Sequence, residues 1–300
     1  MGNNLDQLSR VGPIDFRLTK RSDFLENPNK KYYFRYFKDY QRASPVEKQF
    51  LASQMLDLFK SSFLTTNNFD KWIPYYLHLP NAVGIDLIFI FDKKTNEPQG
   101  FGLYTIIEVY LEPNNYKEEN KYLVSTGFAC INPEYRRAGV YKDLWYSLLY
   151  FVLANFPNKN FFHFDVSINP ITFYVSSKSN LWFYPGPKME LNGKQMEFFE
   201  KLLKVFEYTS IDKAKPYLVN EFNEVDETEK KNWQSGYDGF PEEMKFYIDE
   251  TKLLSGVGVA FMAAEVLIEG NTLGLPAKIY VTEKKPNILV LEHAFIVPKL

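Results

Sequence analysis

Three features of the sequence predict an α+β fold. Three consecutive apolar segments, GIDLIFIFD at 84–92, GFGLYTIIEVYLE at 100–112 and KYLVSTGFACI at 121–131, are joined by short connections, which makes them an antiparallel meander. A helix and a further strand follow, and a strand-helix-strand crossover is right-handed and requires at least one parallel pairing. Helical periodicity on either side supplies layers to cover the sheet. The expectation is a mixed, mostly antiparallel sheet flanked by helices, with a helical insertion before the C-terminal strands. It is read as one domain over 1–300, with its core at 84–185, the insertion at 186–245 and closing strands within 246–300.

In chain order, residues 15–18 predict a short strand, and KKYYFRYFKDYQR a polar and aromatic stretch after it. The first helix has a clear start: Ser44 at the N-cap, Pro45 at the first helical position, and Glu47 completing a capping box. Leu51, Met55, Leu58 and Phe59 then share one face. Residues 69–77 predict a shorter helix, and KKTNEP is the turn between the first two meander strands. Residues 132–140 form a polar turn opening a helix whose apolar stripe is Tyr141, Leu144, Trp145, Leu148, Leu149 and Val152. Residues 161–168 return as a strand, and Asn169-Pro170 begins another helix. From 185 to about 241 the chain is charged and mostly helical, with a helix at 196–206 and a solvated segment at 224–231. Strand character recovers at 257–268, 277–282 and 287–297.

Composition narrows the function. The chain has 300 residues, enough to bury roughly three quarters of its unfolded surface without disulfides or metals. Lys+Arg 35 against Asp+Glu 37 leaves a net charge of −2, so no nucleic-acid partner is expected. Cys130 is the lone cysteine, which excludes an internal disulfide and a Cys-rich zinc site. His78, His163 and His293 make no metal-ligand pair at short spacing, so no metal is expected. The opening MGNNLDQLSR lacks the apolar core of a signal peptide, and the nearly apolar run at 145–156 is too short to span a bilayer. A cytoplasmic location is therefore expected. Aromatic residues are abundant, with 27 Phe, 21 Tyr and 4 Trp, and most belong in the core.

The chemistry concentrates in INPEYRRAGVYKDL, residues 131–144. A strand ends at Ile131 and a helix opens near Gly139, on a turn carrying Arg136 and Arg137. Helix N-termini expose unpaired N–H groups and the positive end of the dipole, so anions bind there. Gly139 admits an anion close to the backbone, and arginines add charge-assisted hydrogen bonds. Those features suit a phosphate cradle; a plain turn with solvated arginines is the other reading.

Arg136-Arg137-Ala138-Gly139-Val140-Tyr141 resembles the pyrophosphate-binding motif (Gln/Arg)-x-x-Gly-x-(Gly/Ala) of the GNAT acyltransferases, with Tyr141 in place of Gly or Ala. DVSINPITFYVSSKS at 165–179 resembles the family's next unit, a strand leading through an Asn into a helix with a Tyr; the usual Tyr-x-x-x-Gly-Phe ending is absent. The resemblance implies acyl transfer from acyl-CoA, with acetyl-CoA as donor, to an amine by direct attack. It implies that the strand before the motif splays from its parallel neighbour and frees backbone groups for pantetheine. Ala129, Ile131, Arg136, Arg137, Ala138, Gly139, Val140, Tyr141 and Asn169 would then contact the cofactor. Ala129 N–H would hold the oxyanion, and Tyr174 would protonate the departing sulfur.

A base for the amine is not marked. The family often has a Glu early in the strand before the motif, where this chain has Ser125 and Thr126. Glu108, His163 and Asp165 are the alternatives, with Glu108 taken as the catalytic candidate. Cys130 suits a core filler better than a nucleophile. Two further readings stay open: a GNAT-fold protein that binds acyl-CoA without catalysis, and an acyltransferase using longer or carrier-bound acyl groups.

Overall fold

The computed structural model describes residues 22–26, 30–37, 40, 43–62, 73, 75–79, 82–112, 117, 120–141, 143–145, 156, 159–179, 182–220, 227–267, 273, 278–279 and 289–291. The strand expected at 15–18 and the stripe residues Leu148, Leu149 and Val152 lie outside them.

Among the described residues eleven strands form one sheet: β1 (Ser22–Glu26), β2 (Tyr32–Phe37), β3 (Ala82–Asp92), β4 (Pro98–Tyr110), β5 (Lys121–Ile131), β6 (Asn160–Ser167), β7 (Trp182–Tyr184), β8 (Leu218–Asn220), β9 (Val257–Leu267), β10 (Lys278–Ile279) and β11 (Leu289–Leu291). The order is β10-β9-β6-β5-β4-β3-β2-β1-β11, with β7 and β8 paired to β9. β5 and β6 are parallel, and the other pairings among the described residues are antiparallel. The mixed, mostly antiparallel α+β sheet expected from the sequence is therefore the fold. The β3–β4 turn closes tightly because Asp92 Oδ1 accepts the N–H groups of Lys94 and Thr95.

Helices cover both faces. α1 (Pro45–Ser62) opens on the expected capping box, Ser44 N–H to Glu47 and Glu47 N–H to Ser44 Oγ, and buries Leu51, Met55, Leu58 and Phe59 against the sheet. α3 (Gly193–Val205) lies on the same face, contributing Phe198, Phe199, Leu202 and Leu203 to that core. It starts three residues before the expected position because Asn192 and Gln195 form a second capping box. The opposite face is packed by helical residues 140, 141 and 143–145, through Val140, Leu144 and Trp145. Beside them, Phe173 of α2 (Pro170–Ser179), Trp233 of α4 (Glu227–Ser235) and Tyr247 of α5 (Glu242–Thr251) form a third cluster.

Two corrections to the sequence reading concern strands. The aromatic stretch near residue 32 is a buried strand, paired with β3 from Tyr32 to Phe37. The charged segment after 185 contributes β8, whose Leu218 and Val219 are buried beside β9. Of the segment 224–231 read as solvated, residues 227–231 are helical, within a helix (Glu227–Ser235) anchored by the buried Trp233, and 224–226 lie outside the described residues.

Pairing of β5 with β6 covers only Tyr122–Ser125 against Asn160–His163. β5 continues to Ile131 beside β4, and β6 continues to Ser167 beside β9, so the two strands part after Ser125 and His163. Close packing at Gly127 fixes the parting strand: a Cβ there would stand 2.0 Å from the Leu103 carbonyl oxygen and 2.9 Å from Tyr104 Cα. Both are backbone atoms that cannot swing aside. Gly127→Ala is expected to cost about 3 kcal/mol, the upper end of overpacking penalties. A urea titration would show the midpoint falling with the slope unchanged.

Candidate functional site

The parted strands make a backbone site whose facing groups can be identified. Residues of an antiparallel pair alternate between exchanging hydrogen bonds with the partner and turning their N–H and C=O away. At one end of the β4–β5 ladder Asn132 N–H donates to the Gln99 carbonyl, and at the other Leu111 N–H donates to the Asn120 carbonyl. The register between them is unbroken, so even-numbered β5 residues bond to β4. Gly127, Ala129 and Ile131 therefore direct their N–H and C=O toward the side that β6 has left. The Ile131 carbonyl accepts from Arg136 Nε at 3.0 Å. Ala129 is half-buried, on the edge of this opening.

Beyond β5 the chain makes a 310 turn at Pro133–Ala138 and ends it on Gly139, whose φ of 77° is the left-handed conformation that favours glycine. A helix begins at Val140, with Asp143 N–H donating to the Gly139 carbonyl. Asn132 caps the turn by accepting Glu134 N–H and bonds Gln99 through its side-chain amide. Tyr135 is buried and donates to Asp92, while the Lys31 ammonium sits 3.9 Å from its ring centre. That hydrogen bond heads the contacts holding Asp92 below the usual carboxylate range; burial leads in pushing the Tyr135 phenol up to about 12. The Lys30 ammonium stands 3.6 Å from where a Gly139 side chain would begin, and 3.9 Å from Asp143, which also accepts from Tyr32. Arg136 and Lys30 thus flank a helix N-terminus, an arrangement suited to an anion.

At the apex, where pairing stops, polar groups collect on both faces of β5. Ser125 Oγ lies 3.0 Å from His163 Nδ1, and His163 Nε2 lies 3.6 Å from Asp165 Oδ2. The His163 ring packs edge-on to Trp145 with centroids 4.4 Å apart. Among the described residues the buried Trp145 Nε1 and, on the α1 face, the buried Thr126 Oγ1 have no hydrogen-bond partner. Orphaned buried polar atoms each cost about 1–3 kcal/mol.

The other sequence candidates are more dispersed. Asn169 caps α2, accepting Thr172 N–H at 2.8 Å, directly after β6. Tyr174 is half-buried on α2, with the Lys178 ammonium 5.9 Å from its ring centre, and Lys178 pairs with Glu243 of α5. Glu108 is paired with Lys121 at 2.6 Å and lies opposite Leu123, six positions along β5 from Ala129. Cys130 is buried and donates to the Leu58 carbonyl, as a core filler does. Val140 is buried and Tyr141 half-buried against the sheet. Of the residues expected from the sequence, Ile131 and Arg136 are bonded to each other, Ala129 lies two positions earlier on β5, and Gly139 ends the turn that follows. Sequence spacing missed Lys30, which reaches the turn from before β2, and the bond between Ser125 and His163, a product of strand register.

Among the described residues, no group of three or more His, Cys, Asp or Glu is placed to hold a metal, and no helix is long and apolar enough to cross a membrane.

No protein-family model matches the chain, and no curated protein does. Solved structures similar to it include NAA60 of Arabidopsis thaliana in complex with a bisubstrate analogue, 13% identical over 55% of this chain and 91% of that one, with a TM-score of 0.31. A spermidine N-acetyltransferase SpeG chimera from Vibrio cholerae and hSSAT is 14% identical over 55% and 90%, with a TM-score of 0.32. A protein of Desulfovibrio desulfuricans assigned to the GNAT acetyltransferases is 13% identical over 45% and 73%, with a TM-score of 0.29. These likenesses carry no residue roles.

The Tyr135–Asp92 bond anchors the cradle turn to the β3–β4 turn. Tyr135→Phe is expected to lower stability at pH 7 by about 1.5–3 kcal/mol, the range for a hydrogen bond to a charged group. Asp92 has a lowered folded-state pKa, so its contribution is present above the unfolded value and lost as pH falls through the folded one. Denaturant titrations should show the gap between wild type and variant narrowing below about pH 4.

Proposed function

We propose that the chain is an acyl-CoA-dependent N-acyltransferase, using acetyl-CoA as donor and an amine as acceptor. The observation that carries this reading is the continuity of two features. The β5 amides turned toward the parted side lead, through the 310 turn and Gly139, to a helix N-terminus flanked by Lys30 and Arg136. An extended ligand with amides along one stretch and a pyrophosphate at its end matches both.

On this reading the Val140 end of the helix, with Gly139, Arg136 and Lys30, takes the pyrophosphate, and Arg137, Ala138 and Tyr141 complete the motif. Ile131 and Asn169 border the pantetheine arm. The Ala129 N–H polarises the thioester carbonyl and holds the oxyanion as the amine attacks. A preorganised donor of this kind contributes about 3–4 kcal/mol to transition-state stability. Tyr174 returns a proton to the departing thiolate as the C–S bond breaks.

A second reading, acyl-CoA binding without turnover, is favoured by Glu108, which is ion-paired with Lys121 and displaced along the strand from Ala129. Amine-dependent thiol release from acetyl-CoA separates the two: the enzyme reading expects it, and the binding reading expects none.

Thermal unfolding with acetyl-CoA tests what both share. At about 100 times its dissociation constant the ligand adds about 2.7 kcal/mol of stability, a rise of about 5 °C for a chain of this size. Gly139→Glu, which combines a repelling charge with a strained φ, and Lys30→Glu, which leaves that backbone alone, should each abolish the shift. No rise in wild type with acetyl-CoA or longer acyl-CoAs would overturn the proposal.

A further inference from the structure

Three linked side chains stand where β5 and β6 part, and the roles assigned so far leave them unused. Ser125 and His163 form the last paired rung, and Asp165 is the next residue of β6 on the same face. An ionised carboxylate only accepts hydrogen bonds, so the Asp165 side of the imidazole, Nε2, carries the proton and Nδ1 accepts from the Ser125 hydroxyl. Ser125 and His163 are buried, but the Asp165 side chain is 19% exposed, so it is the member of the three most open to a ligand.

We infer, resting on the acyltransferase reading, that Asp165 is the catalytic base that takes the proton from the attacking amine, and that His163 and Ser125 position it. The amine lone pair forms the C–N bond at the thioester carbonyl carbon, and the proton on that nitrogen passes to the Asp165 carboxylate. The carbonyl then re-forms, the C–S bond breaks with its electrons on sulfur, and the thiolate is protonated from Tyr174 or solvent.

The surroundings suit the task. One carboxylate oxygen accepts Val166 N–H at 2.7 Å and the other faces His163, which fixes the side chain. Burial raises the Asp165 pKa, His163 opposing it, so the carboxylate is more basic than one in water. The titratable groups around it are His163 on β6 and the buried Tyr104 on β4, which Tyr141 of the covering helix also approaches; Phe261 faces it from β9. Burial pushes the Tyr104 phenol well up, with Tyr141 and Asp165 adding to it, so that group stays neutral.

The test measures thiol release from acetyl-CoA with glycinamide, a primary amine whose free form is appreciable near neutrality. Expressed per concentration of unprotonated glycinamide, the wild-type rate should fall tenfold per pH unit below the Asp165 ionisation. Asp165→Asn should be at least about 100-fold slower and flat over that range, the loss typical for a general base. Its acetyl-CoA affinity should match wild type. His163→Gln should move the acid limb, which a merely structural role would not do. If Asp165→Asn does not fold, the wild-type limb and its displacement in His163→Gln decide the matter. An unaltered profile in either variant overturns the assignment, as does acetyl-CoA binding without glycinamide-dependent release. Failure of wild type to bind acetyl-CoA instead removes the acyltransferase reading beneath it.

Discussion

The rest of the site depends on one interruption in backbone hydrogen bonding. β5 and β6 are parallel neighbours for four rungs and then separate, although each strand continues. Separation leaves amide and carbonyl groups of β5 without strand partners, and such groups are costly to bury unpaired. The cost is tolerated because each strand keeps its other neighbour: β4 holds β5 throughout, and β9 holds β6 through Ser167. A preformed row of donors and acceptors results, fixed by the sheet before any ligand arrives. Preorganisation of this kind is what makes electrostatic stabilisation effective in catalysis.

Aromatic packing keeps that geometry in place. The Tyr104 ring lies across two glycines: a Cβ at Gly102 would be 2.6 Å from its Cε2, and one at Gly127 2.9 Å from its Cδ1. Trp145 closes over Tyr104 and His163 from the covering helix. On the other face Phe128 meets Phe101 and Tyr76, and Phe59 of α1 edge-on. Large rigid rings on both sides hold β5 against lateral movement, which accounts for much of the aromatic load near the sheet centre. The cradle turn is braced separately, by Tyr135 on Asp92 and by Asn132 on Gln99.

Local signals in the sequence were reliable, and partnerships across the fold were not. Ser44 and Glu47 mark α1 because a capping box is closed within four residues, and KKTNEP marks a turn because Asp92 bonds its own neighbours. Gly139 marks a turn for the same local reason, and its φ of 77° shows that turn to be left-handed. β2 was not legible as a strand because its charged Arg35 is buried and its aromatic residues fill both faces, which removes the polar alternation of an ordinary edge. β8 is three residues long, too short for a periodic signal, and is held by β9 on one side and by residues 209–211 on the other. Within the candidate site, Ala129 is an expectation carried by the motif resemblance, whereas the Ser125–His163 contact follows from register between strands and joins residues 38 apart. Glu108 looked suitable by residue type; its ion pair with Lys121 could not be read from the chain alone.

Residue-by-residue amide exchange by NMR, with and without acetyl-CoA, tests the open backbone most directly. The account predicts that the Ala129 amide exchanges much faster than those of its β4-bonded neighbours Phe128 and Cys130 in the free protein. Acetyl-CoA should slow Ala129 at least tenfold while leaving the neighbours unchanged. An Ala129 amide as protected as Phe128 and Cys130 before ligand is added would mean that the strands do not part after Ser125. One indifferent to acetyl-CoA would mean that the parted edge is not where the ligand binds.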